Sequence, residues 1–213
     1  MYDMPVEIDV RAEGALRIIT LNRPDSLNSV NDDLHSGLAR IWQRLTDDPT
    51  ARAAVITGAG RAFSAGGDFA YLEELAGDAD LRAKTIADGR EIVLGMARCR
   101  IPLVAAVNGP AVGLGCSLVA LSDIVYIAED AYLADPHVQV GLVAADPVAE
   151  AVACAKRIME LPQQAVESTK RVLNIHLERA VLASLDYALS AEHQSFTTED
   201  FRSIITKLNA SKN

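Results

Sequence analysis

The sequence predicts an α/β domain built on a mostly parallel sheet and followed by a helical region. Three observations predict it. Short apolar runs alternate with amphipathic stretches through the first part of the chain. Two glycine-rich loops each follow one of those runs. After Pro147 the apolar residues fall at helical spacing almost to the end.

Val6 to Val10 alternates with period two, and Leu16 to Leu21 is a second β run. Glu13-Gly14 between them signals a turn, so the pair reads as a hairpin. Asn22-Arg23-Pro24 ends the second strand, because proline lacks the donor a central strand needs. Asn31 caps the next helix, with Asp32 and Asp33 facing its positive end. Leu34, Leu38, Ile41, Trp42 and Leu45 form its apolar stripe. Ala53 to Thr57 is a short buried strand. A loop follows to Gly67, then an amphipathic helix from about Leu81 to Ala97. Leu103 to Val107 is a strand, Asn108-Gly109-Pro110 a turn, and Gly115 to Leu121 a small-residue helix leading to a strand from Ile124 to Ala128. Helical stripes then run through Val148/Val152/Ala155/Met159, Val166/Thr169/Leu173, Leu182/Leu185/Leu189 and Phe201/Ile204/Ile205/Leu208. The division is a core over residues 1–146 and a helical region over 147–213. That region either caps the core or reaches onto a neighbouring subunit.

The chain has 213 residues, 50% of them hydrophobic and 23% charged, which fits a globular domain and excludes a disordered one. Its net charge of −9 disfavours a nucleic-acid partner. No apolar run reaches the roughly 18 residues of a membrane span, and Met1 to Pro5 lacks the positive and apolar regions of a signal peptide. Cys99, Cys116 and Cys154 are odd in number and widely spaced, which reads as small buried thiols in a reducing cytoplasm. His35, His176 and His193 show no metal-ligand spacing, so no metal site is expected.

The most informative residues lie in Gly58-Ala59-Gly60-Arg61-Ala62-Phe63-Ser64-Ala65-Gly66-Gly67-Asp68 and Asn108-Gly109-Pro110-Ala111-Val112-Gly113-Leu114-Gly115-Cys116-Ser117. Loops so poor in side chains let backbone approach a ligand, and their N–H groups can hold a negative oxygen. Either loop alone also reads as an ordinary strand-to-helix turn. Two on successive strands point to the carboxyl end of an open α/β sheet, where ligands bind. A dinucleotide fingerprint fails because Phe63 occupies the third glycine position and no helix is expected directly after the loop. A Walker-type phosphate loop is absent.

At these residues the sequence resembles the crotonase superfamily, the enoyl-CoA hydratase/isomerase family. The matching pieces are Asn22-Arg23-Pro24 with Leu27-Asn28, then Val55 to Gly58 with Ala62 to Asp68, and then Pro102 to Gly109 with Gly113 to Cys116. Ser122-Asp123-Ile124, Ala134-Asp135-Pro136, Gly141-Leu142 and Ser168-Thr169-Lys170 follow in the same order. The resemblance implies a crotonase-like spiral of ββα units and a C-terminal helical trimerisation region that packs in trans, as a homotrimer or hexamer. It implies an acyl-CoA thioester substrate and no separate cofactor, coenzyme A being part of the substrate. The thioester oxygen would sit between the N–H groups of Gly67 and Leu114, with Ser26, Ala65, Gly66, Asp68 and Gly113 lining the substrate site. Polarising that carbonyl acidifies the α-carbon and stabilises an enolate-like state. Asp68 also reads as a cap for the segment after it. Arg23, Arg61 and Lys170 are candidates to meet coenzyme A phosphates, set against plain solvated charge.

The sequence departs from that pattern twice. Hydratases of the family use two glutamates on water, and the positions that match hold Ser117 and His137. Simple hydration, which needs an acid and a base within reach, is therefore doubtful. Asp146 and His137 are the acid/base candidates, each set against an ordinary turn residue next to proline. A Ser117–His137 nucleophile pair is weak, because Ser117 sits in a small-residue helix without a nucleophile elbow. The chain is also shorter than the family by several tens of residues, at a junction that maps between Asp146 and Pro147, where part of the acyl pocket is expected. Either that segment is absent from the protein or the 213-residue sequence joins the ends of a stretch it omits; omission is favoured, since the match resumes on both sides of one abrupt junction. The leading expectation is a lyase or isomerase acting on an acyl-CoA thioester. The alternative is a non-catalytic thioester binder or structural member of the family.

Overall fold

A computed structural model describes residues 2–135, 138–140, 152, 155–199, 201 and 206. Strands β1 (Ile8–Glu13) and β2 (Leu16–Leu21) form the expected antiparallel hairpin, turning at Gly14 with φ of 58°. Helix α1 (Asp32–Asp47) starts where the Asn31 side chain accepts the Leu34 N–H at 3.0 Å. It returns the chain to β3 (Ala53–Gly58), parallel to β2. Helices α2 (Phe69–Gly77) and α3 (Ala79–Arg98) lead to β4 (Leu103–Val107), parallel to β3. After the short β5 (Ala111–Val112) and α4 (Leu114–Ala120), β6 (Ile124–Ile127) pairs with β4. The main sheet runs β1-β2-β3-β4-β6. A second sheet joins β5 to β7 (Leu133–Asp135) and β8 (Val138–Val140).

The central strands read as unbroken apolar runs because both faces are covered. Ile19, Leu21, Ala54, Ile56, Leu103, Ala105 and Val107 pack with Leu34, Leu38, Ile41, Trp42 and Leu45 of α1 and with Ile92 and Met96 of α3. The alternate residues Leu16, Ile18, Ala53, Val55, Val104 and Ala106 face the other way, onto Val152, Ala155 and Met159. Each fully buried large aliphatic or aromatic side chain contributes roughly 1.5–3 kcal/mol, so the α1 stripe alone anchors that helix firmly.

The structure corrects the sequence reading at one place and extends it at two. Residues 69–77 form a helix where none was expected, so the first glycine loop does run directly into a helix. The helical stripes from Val166 to Leu189 belong to one continuous helix, α5 (Gln163–Ser195). Leu133–Asp135, where no sequence pattern signals a strand, contributes to the small second sheet. The expected boundary at 146/147 lies outside the described residues. No helix among them is long and apolar enough to cross a membrane.

Candidate functional site

Both glycine loops leave the carboxyl ends of β3 and β4, and polar side chains lock them together. Asn108 accepts the Gly58 N–H at 3.1 Å and donates to Gly60 O at 2.9 Å. Asn28, fully buried, donates to Ala59 O at 2.9 Å and Ala62 O at 2.8 Å while accepting the Arg23 N–H at 2.8 Å. Ser64, also fully buried, donates to Asn28 O at 2.8 Å and accepts the Gly66 N–H at 3.3 Å. An unpaired polar group in such a place costs about 1–3 kcal/mol, so the complete pairing fixes one loop geometry.

The backbone pairing around Gly67 has a specific consequence. Val30 donates to Gly66 O at 2.7 Å, and Asp68 donates to Val30 O at 2.9 Å. Gly67 lies opposite Val30 in a parallel bridge, so its own N–H faces away from that partner. Among the described residues the Gly67 N–H has no acceptor. Leu114 opens α4, where the first amides have no helical partner, and its N–H likewise has no acceptor among the described residues. Neighbouring amides are occupied: Ala65 donates to Leu27 O at 2.9 Å and Gly113 to Ala134 O at 3.0 Å.

The loops touch at Gly66 and Gly113. Gly66 has φ of 81°, and a Cβ there would meet Val112 O at 3.1 Å. Gly113 has φ of 55°, and a Cβ there would sit 3.7 Å from Gly66 Cα. Positive φ and close backbone contact explain the glycines. They also bring the residues that follow them, Gly67 and Leu114, to one region of the surface.

Asp68 caps α2, accepting the Ala70 N–H at 3.1 Å. It also accepts from Ser29 Oγ at 3.0 Å and pairs with Arg23 at 3.2 Å. Burial pushes its carboxyl up, but the Ser29 and Arg23 hydrogen bonds outweigh this and hold it below the ordinary value. Such a carboxylate stays ionised and suits positioning better than proton transfer. Ser26 donates to Arg23 O at 3.2 Å, inside the 3-10 turn Pro24–Ser26. Half-buried Ser117 lies one turn into α4, its hydroxyl 3.4 Å from Gly113 O. His137 and Asp146 lie outside the described residues.

The three cations divide. Arg23 is engaged by Asp68 and by Ser29 O. Arg61 is exposed on the first loop. Lys170 is buried against Ile101 O at 2.6 Å and Asp123 at 2.8 Å, and so is not free to meet a phosphate. His35 is buried, its Nδ1 has no partner among the described residues, and burial holds its imidazole below the usual value. No metal-binding cluster occurs among the described residues. The sequence reading missed the bracing roles of Asn28, Ser64 and Asn108. Its only signal was the position of Ser64 and Asn108 inside the two motif loops and of Asn28 in the Asn22 to Asn28 motif. A cavity of about 650 Å³ lies elsewhere, lined by Thr46, Cys99, Arg100, Lys170 and Asn174 near the amino end of β4.

With this geometry in view, comparison with known proteins is decisive for the family. The sequence profile described as enoyl-CoA hydratase/isomerase matches residues 11–150. The chain belongs to the enoyl-CoA hydratase/isomerase family. A crystal structure of a family member, described as an enoyl-CoA hydratase/isomerase from Mycobacterium paratuberculosis, is 76% identical with a TM-score of 0.94, over 97% of this chain and 100% of that one. A second such structure, from Xanthobacter autotrophicus Py2, is 23% identical with a TM-score of 0.85, over 94% and 91% of the two chains, and shows the same fold. The crotonase-type α/β architecture implied by the sequence motifs is thus the observed one. Among curated relatives, a probable enoyl-CoA hydratase, EchA14 of Mycobacterium tuberculosis H37Rv, is 42% identical over 139 residues, covering 65% of this chain and 52% of its own. The chain spans about half the length of that relative. EchA8 of Mycobacterium bovis, also named a probable enoyl-CoA hydratase, aligns at 26% identity over 235 residues, covering 90% of each chain. That alignment is longer than the 213 residues here, so EchA8 carries residues with no counterpart in this family member.

Proposed function

We propose that the chain binds an acyl-CoA thioester and polarises its carbonyl between the Gly67 and Leu114 amides, stabilising an enolate-like state. The observation that carries this reading is that both amides, on adjacent loops at the carboxyl ends of parallel strands, lack an acceptor among the described residues. Donors held in place before the reaction cost no reorganisation when charge develops on the oxygen, and one such donor is worth about 2.7–4 kcal/mol. Ala65, Gly66, Asp68 and Gly113 hold the loops, and Ser26 steadies the turn beside them. The relatives named as probable hydratases support the substrate class. Simple hydration is disfavoured, because Ser117 offers a hydroxyl where a carboxylate is needed and Asp68 is already paired. His137 and Asp146 are the proposed proton carriers for isomerisation or bond cleavage.

A trimer or hexamer belongs to the same reading, since α5 exposes Val172, Leu173, Leu182 and Tyr187. A cytoplasmic location fits Cys99 and Cys116, which form no disulfide among the described residues. Thermal-shift measurements with acetoacetyl-CoA, free coenzyme A and NAD test the ligand class: the thioester is expected to stabilise most and NAD not at all. An assay of thioester absorbance then separates catalyst from binder. Loss of turnover in Asp146→Asn or His137→Ala is expected. Thioester binding without any turnover would favour the non-catalytic alternative, motivated by Ser117 and His137 at the two glutamate positions.

A further inference from the structure

We propose that Phe196, just past the end of α5, is a positioning residue for the Gly67 amide and acts through Leu72 of α2. The inference rests on the reading of Gly67 as a carbonyl donor and extends it to a distant part of the chain. Gly67 is seated directly under Leu72. A methyl group at Gly67 would lie 3.1 Å from Leu72 Cδ1 and 3.2 Å from its Cγ and Cδ2. The isobutyl group therefore walls one side of the backbone that presents the N–H.

Leu72 is held by the helix that carries it, and α2 is a short helix with little of its own to fix it. Two of its residues, Tyr71 and Leu75, are buried, at 6% and 1% exposure. The third buried member of their cluster is Phe196, at 6% exposure, and Leu72, Leu81, Ile86 and Phe201 pack against that cluster. Phe201 meets the Phe196 ring edge-on, with centroids 5.1 Å apart. The polar fastenings of α2 include a Tyr71 hydroxyl that donates to Asp32 Oδ1 on α1 at 3.4 Å and two contacts with α3. Tyr71 Oη and Thr85 Oγ1 are 2.5 Å apart, and Arg82 donates to Leu75 O at 2.7 Å. These tie α2 to α3 but do not press Leu72 toward Gly67. An aromatic group delivered from more than 120 residues downstream completes the apolar seat of α2. Removing it leaves a cavity under the helix that sets the donor's position, and a small displacement there is enough to misalign a hydrogen bond.

The test measures carbonyl polarisation rather than stability. Butyryl-CoA, isotope-labelled at the thioester carbonyl, is bound to the full chain and its carbonyl stretch is read by difference infrared spectroscopy. Wild-type protein is expected to lower the frequency. Phe196→Ala is expected to lose most of that shift and to weaken butyryl-CoA binding about tenfold, the worth of one hydrogen bond. Phe196→Leu restores most of it. Leu72→Ala reproduces the loss, and adding Phe196→Ala to it changes little more, because both act along one path. Asn174→Ala, which frees α5 from Ala97 O on α3 without touching α2, leaves the shift intact. If Phe196→Ala fails to fold, Leu72→Ala and Phe196→Leu carry the test. A full shift in Leu72→Ala, or independent additive losses in the double variant, overturns the proposal. Absence of any shift in the wild type instead overturns the donor role of Gly67 itself.

Discussion

Lys170 Nζ on α5 lies 2.8 Å from Asp123 Oδ2 and 2.6 Å from Ile101 O, joining the long helix to the amino ends of β4 and β6. The same carboxylate oxygen accepts the Leu103 N–H at 2.7 Å. One buried ammonium thus holds a helix against two strands, at the end of the sheet opposite the glycine loops. Lys170→Met removes the cation and leaves Asp123 with one donor. Breaking a buried pair from one side costs roughly 3–5 kcal/mol, and the partial exposure of Asp123 places the expected loss near the lower end. Urea denaturation measures it. A loss below about 1 kcal/mol, the range of surface pairs, would show that the bridge is not holding α5.

The Leu114 amide can be removed without losing a helical hydrogen bond, because Leu114 is the first residue of α4. Proline is tolerated at that position, where the N–H has no helical partner. Leu114→Pro deletes the proposed donor and places ring carbons where the oxygen would sit. The expected result is a fall of about 100- to 1000-fold in kcat, with a lower Tm because the Leu114 side chain packs against the core. Unchanged turnover would remove Leu114 from the mechanism.

Legibility in the sequence followed the range of the forces involved. Apolar continuity in β2, β3 and β4 and the stripe of α1 are local patterns, and each became the expected element. The α2 helix was hidden: it spans nine residues, starts beside two glycines and ends on another. Tertiary contacts, those with Thr85 and Phe196 among them, make it worth forming. β5 has two residues, too few for any periodicity to register. The stripes of α5 are not legible as one helix because Leu173 and Leu182, which sit on them, are exposed and pack on nothing that would join them among the described residues. Lys170 was misread for a related reason: no local pattern reveals that a lysine will meet a carboxylate 47 residues earlier. The two loops were legible because glycine chemistry is local, whereas the amides of Asn28 and Asn108 that brace them act across the fold.

Gly95 sets two opposing effects against each other. Replacing a helical glycine by alanine ordinarily gains about 1 kcal/mol. Here the new Cβ would lie 3.0 Å from Trp42 Cβ and Cδ1, and Trp42 is fully buried against α3. Overpacking of that kind costs about 1–3 kcal/mol. Gly95→Ala is therefore expected to destabilise by up to about 2 kcal/mol in chemical denaturation. A stabilised variant would mean that α1 and α3 separate more freely than their packing implies.

The acid limb of stability reports on Asp68. Its folded carboxyl titrates below the ordinary value because the Ser29 and Arg23 hydrogen bonds outweigh burial. The unfolded chain thus takes up this proton at a higher pH than the folded one. The stabilisation is present in full above the unfolded value near ~4 and is lost as pH falls through the folded value. Asp68→Asn keeps an N-cap for α2 but abolishes the charge. The stability difference between wild type and Asp68→Asn should be constant around neutral pH and shrink below about pH 4. Urea midpoints measured across that range decide it. A difference that stays constant to the most acid point would mean that the Arg23–Asp68 pair contributes nothing through its charge, and that Asp68 acts on the Gly67 loop through cap geometry alone.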